Sequence, residues 1–241
     1  MIDLHCHILP DLDDGATDVE DSVAMARQAQ ADGIATVCAT PHVRHDHPVQ
    51  IASLPARVAA LQTELDRRGV GVRVAVGAEV AQTQLDGLDD EALRTVSLGG
   101  AGGWILLEPA PGPLSAELEL CVERLRARGM RAVIAHPERH ADADLELRLE
   151  LLAAQGCLIQ WTAAFVADAA LREPVARWAR MGLIHLLGSD AHSARFGRPV
   201  ALADGFAALR GMLPAATVEW MAHTGPQAVL RGEPIGLPAF G

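Results

Sequence analysis

Short apolar runs alternate with helix-forming stretches seven times along this chain, and six of the seven runs end in His, Asp or Glu. The runs fall at 2–6, 34–39, 72–78, 104–107, 131–135, 157–161 and 183–187. Helices are expected at 19–32, 55–68, 89–94, 115–128, 145–155 and 169–181, with closing helices at 199–209, 215–222 and 227–230. Asp18 is a natural N-cap for the first helix and Gly33 a natural stop. Strands that alternate with helices pair in parallel through right-handed crossovers. Apolar runs without strict alternation suit a sheet covered on both faces. The first run ends in His5 and His7, the second in His42, the third in Glu79, the fourth in Glu108, the fifth in His136 and the seventh in Asp190 and His192. An open sheet would spread such residues along a line, whereas a barrel converges them on one axis. Chemistry in barrels of this kind sits at the C-terminal ends of the strands. The expectation is therefore an α/β chain folded as a distorted (β/α)7 barrel, with residues 1–241 forming one domain.

His5 and His7 project together from one strand end, about 6–7 Å apart at the usual rise. Asp13 and Asp14 follow on the next loop, just before Gly15. Neutral imidazoles beside carboxylates suit a divalent transition metal better than an all-oxygen site does. The candidate ligands are His5, His7, Asp14, His42, Glu79, Glu108, His136, Asp190 and His192. One ion takes four to six ligands, so nine point to two or three ions sharing carboxylates. Clustered ions generate a hydroxide nucleophile and clamp a phosphoryl oxygen. Arg139 and Arg198 follow the fifth and seventh strands on the same face, and a guanidinium matches phosphate bidentately. His45 and His47 repeat the H-x-H spacing, but in a loop broken by Pro48, which reads as solvated or substrate-facing. His185 is out of phase with Asp190 and reads as a packing residue.

Hydrophobic residues make up 50% of the chain, enough for a sizeable core, and aromatics only 3%. Thirty-one acidic residues against 20 basic ones leave a net charge of −11, which argues against nucleic-acid binding. Cys6, Cys38, Cys121 and Cys157 are scattered without a CxxC and imply no disulfide framework, as expected in a reducing cytoplasm. Neither a signal peptide nor an apolar run of membrane-spanning length is visible.

The motifs His5-Cys6-His7, Thr40-Pro41-His42, Gly77-Ala78-Glu79, His136-Pro137-Glu138-Arg139 and Ser189-Asp190-Ala191-His192 resemble the PHP superfamily, named for polymerase and histidinol phosphatase. The opening stretch through Asp13-Asp14-Gly15-Ala16 is similar to one branch of it, the bacterial protein-tyrosine phosphatases linked to capsule and exopolysaccharide synthesis. The resemblance extends to Pro226-Gln227-Ala228-Val229-Leu230. It implies a trinuclear site, usually manganese or iron, although the donors also admit zinc. By motif, His5, His7, Glu79 and Asp190 would hold one ion. Glu79, Glu108 and His136 would hold a second, and Asp14, His42 and His192 a third. Arg139 and Arg198 match the phosphate-binding arginines of the branch. The chain departs from the branch at Gln160-Trp161-Thr162-Ala163-Ala164, at His140 and at Gly225.

The expected activity is hydrolysis of phosphotyrosine in protein, attack coming from a metal-activated hydroxide. The substrate implied by the resemblance is the tyrosine-rich tail of a polysaccharide-assembly autokinase. His42 or a metal-bound water would serve the leaving phenolate. A cysteine nucleophile is disfavoured, because no cysteine is expected in a phosphate-cradling Cys-x5-Arg loop. Two alternatives stay open: a small-molecule phosphatase of the histidinol-phosphate type, and a metal-binding regulatory module without turnover.

Overall fold

In the computed structural model, which describes residues 1–240, nine strands form two parallel sheets. They are β1 (Ile2–Cys6), β2 (Thr36–Ala39), β3 (His42–Val43), β4 (Arg73–Val76), β5 (Glu79–Ala81), β6 (Trp104–Glu108), β7 (Arg131–Ala135), β8 (Leu158–Thr162) and β9 (Leu186–Gly188). One sheet runs β1-β2-β4 and the other β3-β5-β6-β7-β8-β9. Seven of the nine strands match the seven runs, and β3 and β5 continue the second and third beyond their expected ends. Thr40 and Pro41 separate β2 from β3, and proline has no N–H for the ladder. Gly77 and Ala78 separate β4 from β5. A Cβ on Gly77 would lie 2.7 Å from Cys38 Sγ, so glycine lets the second and third runs pass each other closely. The circuit closes where Asp190 N–H donates to His5 O at 2.9 Å and His7 N–H donates to Ala191 O at 2.9 Å. That joins β9 back to β1, and the expected seven-stranded barrel results.

The helices are α1 (Val19–Ala31), α2 (Leu54–Arg67), α3 (Asp90–Val96), α4 (Ala116–Ala127), α5 (Leu145–Ala154), α6 (Ala163–Ala167), α7 (Arg172–Arg180), α8 (Ala203–Arg210), α9 (Ala215–Glu219) and α10 (Gly225–Leu230). Asp18 caps α1 as expected, accepting Asp21 N–H at 2.7 Å. Several features differ from the sequence reading. The short α6 follows β8 directly, where no helix was expected, and α7 begins three residues later than expected. The seventh run is strand only from Leu186. Among the described residues, no helix is long and apolar enough to cross a membrane.

His185 sits just before β9 and is 1% exposed. Its Nδ1 accepts Ile159 N–H at 3.0 Å, and the ring meets the edge of Phe240. Burial pushes this imidazole down to about 4. The unfolded chain, with the ordinary value near 6.5, therefore takes up a proton that the folded chain refuses. Stability contributed by the neutral ring is full above pH 6.5 and is lost progressively as pH falls toward 4. In His185→Asn, whose amide oxygen replaces Nδ1 as acceptor, urea unfolding at pH 7 and pH 5 should show the acid-side loss reduced by about 2 kcal/mol. An unchanged loss would refute the assignment.

Candidate metal centre

All nine candidate ligands lie at one mouth of the barrel, and their donor atoms interleave. Glu79, at the head of β5, is the hub, 1% exposed. Its Oε2 lies 3.3 Å from His5 Nε2, 3.4 Å from His7 Nε2 and 3.0 Å from His42 Nδ1, while Oε1 accepts from His136 Nε2 at 2.8 Å. Burial alone would raise the Glu79 carboxyl, but the surrounding imidazoles outweigh it and hold it well below the carboxylate range. Asp190 Oδ1 lies 3.4 Å from His5 Nε2 and 3.6 Å from His7 Nε2. Asp14 Oδ1 lies 3.4 Å from His42 Nε2 and 3.6 Å from His192 Nε2. Glu108 Oε2 is 3.8 Å from His42 Nδ1.

Four overlapping groups can each surround an ion: His7, Asp14, His42 and His192; His5, His7 and Asp190; His5, Glu79 and His136; and His42, Glu79 and Glu108. The partition implied by motif has three groups and differs in several places: His5 joins Glu79 and His136, and Glu79 is absent from the group of His5, His7 and Asp190. Glu108 groups with His42 rather than with His136, and His7 joins the Asp14 group. β3 and β6 both flank β5, which explains why His42 and Glu108 meet across Glu79.

The donor atoms fit a metal centre because they lack other partners. Glu79 Oε2, Asp190 Oδ1, Glu108 Oε2 and His42 Nδ1 are all buried without a hydrogen bond. Buried polar atoms are normally satisfied, so four orphans at one place need an occupant. Each carboxylate is held by its other oxygen. Glu79 Oε1 is taken by His136, Asp190 Oδ2 by Arg139 and by Arg198 Nη2 (2.8 Å), and Glu108 Oε1 by Arg44 Nη1 at 3.4 Å.

Two orienting residues, Gln160 and Asp13, carry no signal of that role in the sequence. Gln160 Oε1 accepts from His5 Nδ1 at 2.9 Å, which turns His5 Nε2 inward. Asp13 Oδ2 accepts from His7 Nδ1 and from His42 N–H, both at 2.8 Å. Carboxylates that hold the second nitrogen of a ligating imidazole set its tautomer and basicity. Burial pushes the His7 ring down, but Asp13 and Glu79 outweigh it and hold it up at about 9. His192 stacks on His7 at 4.0 Å and, through burial and that neighbouring charge, is pushed down to about 3. A proton on His7 thus sits where a cation would, and metal loading should release it. The loop carrying Asp13 closes tightly: a Cβ on Gly15 would lie 2.3 Å from His7 O. Asp13→Asn should lower metal affinity or turnover about 10–100-fold, read by metal titration beside circular dichroism. Wild-type affinity and turnover in the variant would remove its orienting role.

Two donors occupy strained backbone. His136 has φ +28° and Asp190 φ +49°, a region that non-glycine residues avoid. Such strain costs on the order of 1–3 kcal/mol and collects at functional sites. The second H-x-H pair divides between the site and solvent. His47 stacks on His42 at 5.4 Å, bringing the 44–47 turn against the site, while His45 is exposed.

The Cys-x5-Arg spacing is present after all, at Cys38 and Arg44. It is not a cradle. Cys38 is fully buried on β2, its thiol donates to Val76 O at 3.3 Å, and burial pushes it up to about 12. Arg44 belongs to the rim beyond β3. A thiolate nucleophile is therefore excluded at that spacing.

The sequence model of a family described as "Capsular polysaccharide synthesis, CpsB/CapC" matches residues 1–231. The chain belongs to this family. Among curated relatives, the tyrosine-protein phosphatase YwqE of Bacillus subtilis (strain 168) is 33% identical over 209 residues, which is 81% of this chain and 78% of the relative. The putative tyrosine-protein phosphatase CapC of Staphylococcus aureus is 27% identical over 201 residues, 80% and 77% of the two chains. A solved structure from work on YwqE of Bacillus subtilis and CpsB of Streptococcus pneumoniae, described as unique metal-dependent tyrosine phosphatases, superposes with a TM-score of 0.86. It is 28% identical and covers 99% of this chain and 98% of that one. An N-isopropylammelide isopropylaminohydrolase from Burkholderia multivorans superposes at 0.53 with 17% identity, over 96% of this chain and 74% of its own, and shares only the barrel fold.

Proposed function

We propose that this CpsB/CapC chain is a metal-dependent phosphomonoesterase that removes phosphate from tyrosine in protein, acting in the cytoplasm on an autokinase of polysaccharide assembly. The observation that carries the reading is the pairing of four orphaned donor atoms with two guanidiniums at one mouth. The curated relatives named as tyrosine phosphatases supply the substrate class.

His5, His7, Asp14, His42, Glu79, Glu108, His136, Asp190 and His192 would hold two or three ions, with manganese or iron preferred and zinc admissible. When bound, the ions supply Lewis acidity and positive charge at the phosphoryl group. The residues do the rest. Arg139 and Arg198 converge on Asp190 Oδ2 from two different loops, with side chains 40% and 39% exposed. Both stay charged and reachable, and a phosphate dianion offers them better acceptors than one shared carboxylate oxygen does. They orient the ester and balance charge on its equatorial oxygens. Asp13 and Gln160 fix the rings of His7 and His5 so that each presents Nε2. Both nitrogens of His42 face carboxylates, which supports a ligand role for it over delivery of a proton to the phenolate.

The test is phosphate release from a phosphotyrosine peptide beside a phosphoserine peptide and histidinol phosphate, with metal-loaded protein. Selective hydrolysis of phosphotyrosine is expected. Hydrolysis of histidinol phosphate alone would keep the site and overturn the substrate.

A further inference from the structure

The chain has no tyrosine, four phenylalanines and four tryptophans. Seven of these eight aromatic residues are used in packing. Trp104, Trp161 and Phe206 are buried, and Phe165, Trp178, Trp220 and Phe240 pack against the core. Phe196 is the exception, 72% exposed. It lies on the loop between two residues of the candidate site, His192 and Arg198.

This loop is fastened on both sides of Phe196. Ser193 Oγ–H donates to Asp21 Oδ2 at 2.8 Å and Ala194 N–H to Asp21 Oδ1 at 2.9 Å. Arg195 pairs with Asp18 at 3.2 Å. Arg198 Nε donates to Asp190 O at 2.9 Å and its Nη2 to Asp190 Oδ2. Gly197, at φ +85°, makes the turn between them. Phe196 is thus carried by a tethered loop beside Arg198, with most of its side chain exposed. Its Cα lies two residues, at most about 7 Å, from that of Arg198. In an aryl phosphate the ring begins one oxygen away from phosphorus. A phosphate held at Arg198 therefore places the ring of its ester at the rim, within reach of Phe196.

We infer that Phe196 contacts the aromatic ring of the phosphorylated side chain and makes the site prefer aryl over alkyl phosphate monoesters. The inference rests on the phosphatase reading of the same site. Offset or edge contact between two rings adds to apolar burial, and a flexible alkyl ester gains neither. The chemistry recognised is a phenyl ring carrying a dianion, whatever peptide surrounds it.

Binding of phenylphosphonate and methylphosphonate to metal-loaded protein tests this without turnover. Wild type should favour phenylphosphonate by about three- to tenfold, Phe196→Ala should lose that preference, and Phe196→Trp should keep it. Affinity for inorganic phosphate should stay unchanged in both variants. In turnover, kcat/KM of Phe196→Ala should fall by the same roughly three- to tenfold factor on phosphotyrosine peptide and on phenyl phosphate. An equal preference for phenylphosphonate in wild type and Phe196→Ala would overturn the inference. So would a fall on the peptide alone, which would assign Phe196 to neighbouring residues of a protein substrate. If wild type hydrolyses no ester, the phosphatase reading fails, while the phosphonate comparison still decides the ring contact.

Discussion

Replacing Glu79 with Gln should reduce the number of ions bound per chain and lower kcat/KM on phosphotyrosine peptide by about two decades or more. The size follows from the site. Losing a residue that only orients a metal ligand costs about 10–100-fold in affinity or activity, and Glu79, which itself faces the proposed ions, should cost more. Glu79 faces four imidazoles at 2.8–3.4 Å, and its Oε2 has no hydrogen-bond partner. Gln keeps the volume and the contact of Oε1 with His136 but removes the charge. A melting curve separates loss of fold from loss of ions. Glu79→Asp, which keeps the charge on a shorter stem, should retain more metal than Glu79→Gln. Full metal occupancy with wild-type turnover in Glu79→Gln would contradict the hub role.

The arginines give the second large effect, and it should leave metal content intact. Arg139→Ala and Arg198→Ala should each weaken kcat/KM by roughly 1.5–3 kcal/mol, about 10- to 150-fold, the range for a hydrogen bond to a charged group. The inhibition constant of inorganic phosphate should rise in parallel. Burial pushes both guanidiniums down, and Arg198 pushes Arg139 further. Relieving that pressure by binding an anion is part of what the substrate would offer. Because both donate to the same Asp190 oxygen, the double variant should lose less than the product of the single losses. Lys at either position keeps the charge but not the planar fork and should restore only part of the activity. Unchanged phosphate inhibition in both single variants would remove their anion-binding role.

The seven alternations were legible because apolar runs and helical stretches have different periods, and all nine candidate ligands stood at run ends or in the loops after them. Parallel pairing then brought them to one mouth. What was not legible depended on distance in space. The short strands β3 and β5, past the breaks at Thr40-Pro41 and Gly77-Ala78, lie beyond the second and third apolar runs and are too short to register in hydropathy. The helix α6 is five residues of mostly small apolar side chains, too short for a period to register. Asp13 stood in the sequence beside Asp14, but its task is decided by the loop that Gly15 lets close onto His7. Gln160 faces His5 only because β8 and β1 enclose the same barrel. The spacing from Cys38 to Arg44 stands in the sequence, and the fold makes it inert by burying the thiol on a strand. Phe196 had no periodic context at all, and its meaning comes from being the one aromatic side chain left outside the packing.

The most direct measurement is a metal reconstitution that counts bound ions and phosphotyrosine hydrolysis on the same samples. Protein stripped with chelator is reloaded stepwise with manganese, iron or zinc, and ions per chain are determined by elemental analysis at each step. Activity should be absent in the stripped protein, return in step with occupancy and reach its plateau at two or more ions per chain. Full hydrolysis by the stripped protein, or two to three bound ions with no turnover of any phosphate ester, would contradict the account.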